Sequence, residues 1–238
     1  MLFAPVLHAE WIKIRTLRSL LGALAAMSVA TAAFAALAPS MADGDASDPL
    51  FAVFFGISFG QVAAVAFGTA AVSSEFRGGA LGLTLAAVPD RRRWFAAKAT
   101  AIALPVLAVG LFTGLVTLLA GEAALGASGP GWAEGLRGAA GCGLHLTLMA
   151  LFAAGLTAVL RSGAATLSVL IPFLLIASFV IGDLSAGIAD FLPDRAGQVA
   201  LHSGWDGPLG PWSGLAVTAL WTAAALLAGA WAVSRRDA

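Results

Sequence analysis

The sequence predicts an all-α, polytopic membrane protein with six transmembrane helices, and three observations carry that prediction. Hydrophobic residues make up 60% of the 238-residue chain and charged residues 11%, against roughly 45–50% and 25% in soluble globular domains. Six stretches are apolar for the ~20 residues that a helix needs to cross a hydrocarbon core: 19–38, 50–72, 99–120, 138–160, 164–182 and 212–233. They are too long and too uniformly apolar to be the alternating strands of a barrel, so backbone satisfaction in lipid forces helices. Finally, Lys and Arg collect on alternate connections, as in a chain threaded back and forth through a bilayer. The whole chain, 1–238, reads as one transmembrane domain.

The segment ahead of the first span, 1–18, places Phe3, Leu7, Trp11, Ile14 and Leu17 on one arc of a helical wheel, which predicts a helix lying in the interface. Glu10 falls inside that arc and requires a partner, either Lys13 at i+3 or a neighbouring segment. In the first span, Ala36-Leu37-Ala38 before Pro39 has the small-residue look of a cleavage site. The apolar run exceeds a signal peptide's and five spans follow, so an uncleaved anchor is expected. Gly56 and Gly60 in the second span, and Gly110 and Gly114 in the third, have the G-x-x-x-G spacing of close helix packing. The connection 73–98 carries Ser73-Ser74-Glu75-Phe76-Arg77-Gly78-Gly79, a helix-compatible run from Ala80 to Val88, then Pro89-Asp90 and Arg91-Arg92-Arg93-Trp94. The connection 183–211, rich in Gly and Pro, suits either a short re-entrant helix or a surface loop.

Lys13, Arg15, Arg18, Arg77, Arg91, Arg92, Arg93, Lys98, Arg161, Arg235 and Arg236 lie on one side, and only Arg137 and Arg195 on the other, which the positive-inside rule reads as both termini cytoplasmic. Asp43, Asp45, Asp48, Glu122, Glu134, Asp183, Asp190, Asp194 and Asp206 fall outside. Trp11, Trp94, Trp132, Trp205, Trp212 and Trp231 sit near span ends, at the headgroup level that an indole prefers; only Trp221 is mid-span.

This composition excludes a basic nucleic-acid binder, since 13 basic and 13 acidic residues cancel, and a single cysteine, Cys142, forms no intrachain disulfide. No paired carboxylates or His/Cys clusters have metal-ligand spacing, and no P-loop pattern is present, so neither a resident metal nor a cofactor is expected. The span interiors hold Gln61 and His145 as their main polar groups, placed on a path or in packing, and no acid to carry a coupling ion. Gly56-Ile57-Ser58-Phe59-Gly60 matches G-x-S-x-G, so an intramembrane serine hydrolase using Ser58 and His145 stands as one alternative. An autonomous carrier or channel is another.

The segment from Ala70 to Ala99, AAVSSEFRGGALGLTLAAVPDRRRWFAAKA, resembles the loop after the second span of bacterial type 2 ABC exporter permeases, with their Ser/Thr-x-Glu-aromatic-Arg-x-Gly-Thr signature, proline and basic cluster. HAEWIKIRTLRS, from His8 to Ser19, resembles the family's N-terminal segment, where Glu-x-x-Lys precedes a basic approach to the first span. The resemblance covers the whole chain as architecture and these two segments as motif; Ala80 and Leu81 depart from the polar residues common there. It implies a permease subunit, itself no enzyme, in the bacterial plasma membrane, paired with a second copy or sibling. A separate ATPase subunit would bind the ATP, and the substrate would be an amphipathic peptide antibiotic, drug or lipid-like molecule. It implies an elbow helix holding Glu10 and Lys13, and a coupling helix with Glu75, Phe76 and Arg77 at the signature, Gly78 and Gly79 at a turn, and Leu81, Leu83 and Leu85 towards the ATPase. Without the resemblance, Glu75 and Arg77 read as a solvated pair at a span end.

Overall fold

The structure, a computed structural model, describes residues 3–37, 48–177, 187, 189–205 and 207–235. The described residues are helical, with no strand among them. In chain order, α1 is Phe3–Thr16, α2 Arg18–Ala33, α3 Pro49–Phe54, α4 Ile57–Ser73, α5 Ala80–Ala87, α6 Arg91–Leu125, α7 Trp132–Leu160, α8 Gly163–Pro172, α9 Pro193–Gln198 and α10 Pro211–Arg235. Among the described residues four helices are long and apolar enough to cross a membrane: α4 with its extension to Phe76, α6, α7 and α10. The pair α1 and α2, bent by 75°, makes a fifth when taken as one unit.

The six expected spans thus differ in how they are built. Residues 50–72 are split between α3 and α4 at Phe55–Gly56, because α2 crosses there: a Cβ on Gly56 would run into the Thr31 carbonyl. Residues 164–182 begin as α8, and the helix loosens into a π-type turn over Phe173–Ala177 after Pro172, whose ring supplies no N–H and crowds the preceding turn. Residues 178–182 of that stretch lie outside the described residues, as do Ala38 and Pro39 of the cleavage-like segment, Asp43, Asp45, Asp183, Asp206 and Arg236. The helix α6 has 35 residues, about 52 Å at 1.5 Å each, so it outruns a ~30 Å hydrocarbon core. It starts eight residues before the expected span, with Asp90 as its cap accepting from the Arg93 N–H at 3.0 Å. Arg91 reaches the Val233 carbonyl near the end of α10 at 2.9 Å and Arg93 pairs with Asp90 at 3.5 Å, so these two arginines have partners where helix polarity alone would disfavour them.

The hub is α7, which packs on α6, α10 and α4. Its sequence explains why: small residues face each partner and let backbones approach, which is what drives helix association where lipid removes the hydrophobic difference. Gly143 meets Gly110 of α6, Ala139 meets Gly114, Ala150 meets Gly68 of α4, and Gly155 meets Ala225 of α10. Both G-x-x-x-G pairs expected from sequence are therefore packing sites, Gly56 and Gly60 against α2, Gly110 and Gly114 against α7. The side chains Phe54, Phe67, Met27, Ile102 and Leu146 fill the space between helices.

The connection 189–205 lies along α7 and α10 instead of above their ends. Thr218 donates to the Pro193 carbonyl at 2.8 Å and Trp221 to the Phe191 carbonyl at 2.9 Å; these residues are about 10 and 15 Å along α10 from Pro211.

Gly68→Leu will force a side chain against the Ala150 carbonyl, an overpacking cost of about 1–3 kcal/mol or more, whereas Gly22→Ala, with open space around it, will be neutral. Size-exclusion profiles of the detergent-solubilised protein after graded heating measure the difference.

Candidate functional site

Four charged side chains from three segments meet at the end of the bundle where the basic residues collect. Glu10 of α1 and Glu75, in the turn that follows α4, are buried, at 1% and 3% exposure, and so is Lys98 of α6 at 2%. Lys13 Nζ lies 2.9 Å from both Glu10 Oε1 and Glu75 Oε1. Lys98 Nζ lies 2.6 Å from Glu75 Oε1 and also contacts Glu10 Oε2. Each anion therefore touches both cations, and the four form a closed ring of zero net charge. Two neutral donors complete it: Trp94 Nε1 to Glu10 Oε1 at 3.2 Å, and Thr84 Oγ1 of α5 to Glu75 Oε2 at 3.1 Å. Burying charge is tolerable only with such pairing and hydrogen bonding. Every carboxylate is neutralised, so the ring is a tie between segments, not an acid or base.

The ring corrects several sequence expectations. Glu75 is not in a solvated pair with Arg77; it is buried against two lysines, while Arg77 is exposed. In α1 the buried face is Val6, Glu10 and Ile14, and Phe3 and Leu17 are exposed, because Glu10 must reach Lys98. Trp94 is no headgroup anchor: it is fully buried and bonded to Glu10. Gly78 and Gly79 do turn the chain, both with positive φ, at 61° and 75°, a region glycine enters without steric cost. Beyond them α5 presents two faces. Leu81 is buried and Leu85 half-buried against the chain's own core, whereas Leu83 is 77% exposed. Phe76 is half-buried, with the Arg161 guanidinium 5.7 Å from its ring centre. A cavity of about 450 Å³ opens beside the ring, between α1, α5 and the start of α6.

Gln61 and His145, singled out separately, are brought together. His145, fully buried, donates from Nε2 to Gln61 Oε1 at 3.1 Å, and Gln198 Nε2 shares that oxygen at 3.4 Å. No hydrogen bond joins His145 to Ser58 among the described residues, so the pairing a serine hydrolase needs is not made. Ser58, Gln61 and Gln198 line a second cavity, of about 400 Å³, towards the opposite end of the bundle. Among the described residues no three His, Cys, Asp or Glu side chains gather as a metal site.

At that opposite end Asp48 caps α3, accepting from the Phe51 N–H at 3.0 Å, and also binds His202 Nδ1 at 2.8 Å and the Ser203 N–H at 3.1 Å. His202 stacks on Phe51, 4.3 Å between ring centres, and its carbonyl accepts from Arg137 at 2.8 Å. Burial alone would raise the Asp48 pKa, but the His202 hydrogen bond and the two backbone N–H groups outweigh it and hold the carboxyl down to about 2.

No protein-family model matches the chain, and no curated protein shows significant similarity to it. The long apolar helices define the class as a membrane-embedded helical protein.

Lys98, Trp94 and Thr84 are the ring members that the sequence reading missed. The signal was there for two of them: Trp94 and Lys98 are four apart, on one face of a helix.

Lys98→Met leaves two buried carboxylates with one cation and will destabilise the protein by about 3–5 kcal/mol. Lys13→Met also leaves the two buried carboxylates with one cation, but the Lys13 side chain is 39% exposed, so water can enter where its ammonium stood and the loss will be smaller than for Lys98→Met. Unfolding midpoints of the two variants in mixed micelles test the order. For Asp48 the folded pKa lies below the ordinary 3.8, so its contribution is complete above that value and disappears as pH falls through about 2. Asp48→Asn will therefore lower thermal stability at pH 5, and the gap to wild type will close towards pH 2.

Proposed function

We propose that the chain is the permease subunit of an ATP-driven exporter of the type 2 ABC class, without catalytic chemistry of its own. Six spans would be α2, α3 with α4, α6, α7, α8 with the residues after it, and α10. In this arrangement α1 is an elbow helix in the cytoplasmic interface, α5 the coupling helix, and both termini are cytoplasmic in a bacterial plasma membrane. The segment around α9 is a re-entrant piece on the outer side. A second copy or sibling completes the translocation path, a separate nucleotide-binding subunit supplies ATP hydrolysis, and the cargo is amphipathic, a peptide antibiotic, drug or lipid-like molecule.

The observation that carries this reading is the ion ring with α5 attached. Thr84 ties α5 to Glu75, and Glu75 is held by lysines from α1 and α6. A push on α5 is therefore passed to the ends of three helices at once. On the other face Leu83, 77% exposed on a helix of eight residues, is where an ATPase surface would seat. The glycine turn at Gly78–Gly79 gives α5 its freedom to align with that surface.

A tagged chain purified from its native membrane in mild detergent will bring down a P-loop ATPase. Leu83→Asp will reduce its recovery at least tenfold while membrane insertion and yield stay at wild-type level. Glu75→Ala will also reduce it, with a lowered unfolding midpoint, because it opens the ring. Capture of no ATPase, with nucleotide trapped and several detergents tried, overturns the exporter reading.

A further inference from the structure

The outer cavity of about 400 Å³ is within the ~300–1,000 Å³ range of ligand sites, and its wall chemistry is specific. Phe51, Phe55 and Trp205 supply aromatic faces, and Ser58, Gln61 and Gln198 supply a polar floor. Gln61 Oε1 is occupied by His145 and Gln198, which leaves the Gln61 amide NH2 as a donor, the Gln198 carbonyl oxygen as an acceptor, and the Ser58 hydroxyl as either. The two carboxamides are mutually fixed, because one accepts from the other and His145 locks the acceptor from behind. Among the described residues the carboxylate and the guanidinium on the wall belong to neighbours in sequence, Asp194 and Arg195, whose charges cancel, and the wall's His202 is paired with Asp48.

We propose that this cavity binds an amide-bearing apolar ligand, a short hydrophobic peptide segment, with its amide on Gln61 and Gln198 and its side chain against Phe51, Phe55 and Trp205. A peptide amide needs one donor and one acceptor side by side in an otherwise apolar space. An amide entering without them would lose its water hydrogen bonds uncompensated, at roughly 1–3 kcal/mol per group. A hydrocarbon ligand would leave the two carboxamides unmet for the same reason. Taken as the identity of the exported cargo, this rests on the exporter reading; taken as a binding site, it does not.

The test uses the full chain in lipid nanodiscs without any ATPase. The probe is N-acetyl-(4-benzoylphenylalanyl)-leucine amide, with a benzophenone of equal carbon count but no amide and a benzophenone-bearing triphenylphosphonium cation as comparisons. After irradiation, mass spectrometry of digests is expected to place saturable labelling by the dipeptide amide within 51–61 and 193–205. Gln198→Leu and Gln61→Leu are expected to reduce labelling about tenfold, with Leu83→Asp unchanged. Gln61→Leu also strips His145 of its partner, so Gln198→Leu and Ser58→Ala, which do not, keep the test decisive if Gln61→Leu fails to fold. Equal labelling by the hydrocarbon probe would mean a lipid-filled crevice and overturn the proposal. Stronger labelling by the cation, or labelling indifferent to Gln198→Leu and Ser58→Ala, would overturn it too. Saturable amide-dependent labelling of a chain that captures no ATPase supports the site and overturns only the export reading, whereas ATPase capture without labelling does the reverse.

Discussion

Two buried carboxylates and a buried lysine are expensive anywhere near a hydrocarbon boundary, and here they persist because a fourth charge closes them into a ring. Glu10 and Glu75 each touch Lys13 and Lys98, so no charge depends on one partner; Thr84 donates to Glu75 Oε2, which the lysines leave, and Trp94 donates to Glu10 Oε1, which it shares with Lys13. Much of this end of the molecule follows from that constraint. For Glu10 to reach Lys98, α1 must turn its Val6–Glu10–Ile14 face inward and lie at an angle to α2, which is the 75° bend at Leu17. For Trp94 to reach Glu10, its indole must leave the surface. For Thr84 to reach Glu75, the chain must reverse tightly after Arg77, and the two glycines with positive φ provide the reversal.

The rest of the bundle is held by a different force. Away from its ends it contains no ion pair among the described residues, and packing of small residues on α7 brings α4, α6 and α10 to close range. Polar links are few: Thr113 donates to Ser28 between α6 and α2, Thr222 donates to the Leu148 carbonyl between α10 and α7, and His145 with Gln61 and Gln198 joins α7 to α4 and to the segment 189–205. The same segment is pinned to α10 by Thr218 and Trp221 and to α3 by Asp48. Hydrogen bonds thus fix an irregular stretch against regular helices, as backbone at membrane depth requires.

The apolar runs made the long helices legible, because in lipid a run of that length has no other backbone solution. The break at Phe55–Gly56 was not, since it arises from α2 crossing at Thr31, and a crossing point depends on helix register that one sequence does not encode. Glu10 was legible as a carboxylate in need of a partner, and Lys13 as its local candidate. Lys98 was hidden behind the positive-inside count, where a lysine at a span end is read as an orientation signal. A sharper reading was available from charge balance. Only Glu10, Glu75, Asp90 and Asp237 fall on the basic side, and two of them sit in helical, apolar surroundings where an acid needs a cation. Trp94 was misplaced because the preference of tryptophan for the headgroup level is statistical, and a buried carboxylate outbids it for the indole N–H. Gln61 and His145 were each recognisable as polar exceptions, but their contact follows from how α4 and α7 meet at Gly68 and Ala150.

The ring is not equally strong all round, and the difference bears on how a force would pass through it. α1 and α6 enter it through ammonium and carboxylate groups, whose separation strands buried charge at about 3–5 kcal/mol. α5 enters through one hydroxyl on a carboxylate, about 1.5–3 kcal/mol, plus the burial of Leu81 and part of Leu85. A pull on α5 would therefore detach it at the glycine turn before it opened the ring. A push would load Glu75 directly, and the ring would carry α1, the end of α4 and the start of α6 as one unit. Under the proposed reading, a docked partner that pushes on α5 would have its stroke transmitted, and one that pulls would have it released. Ion pairs fix which segments move together, and the neutral link to α5 sets where the motion can slip.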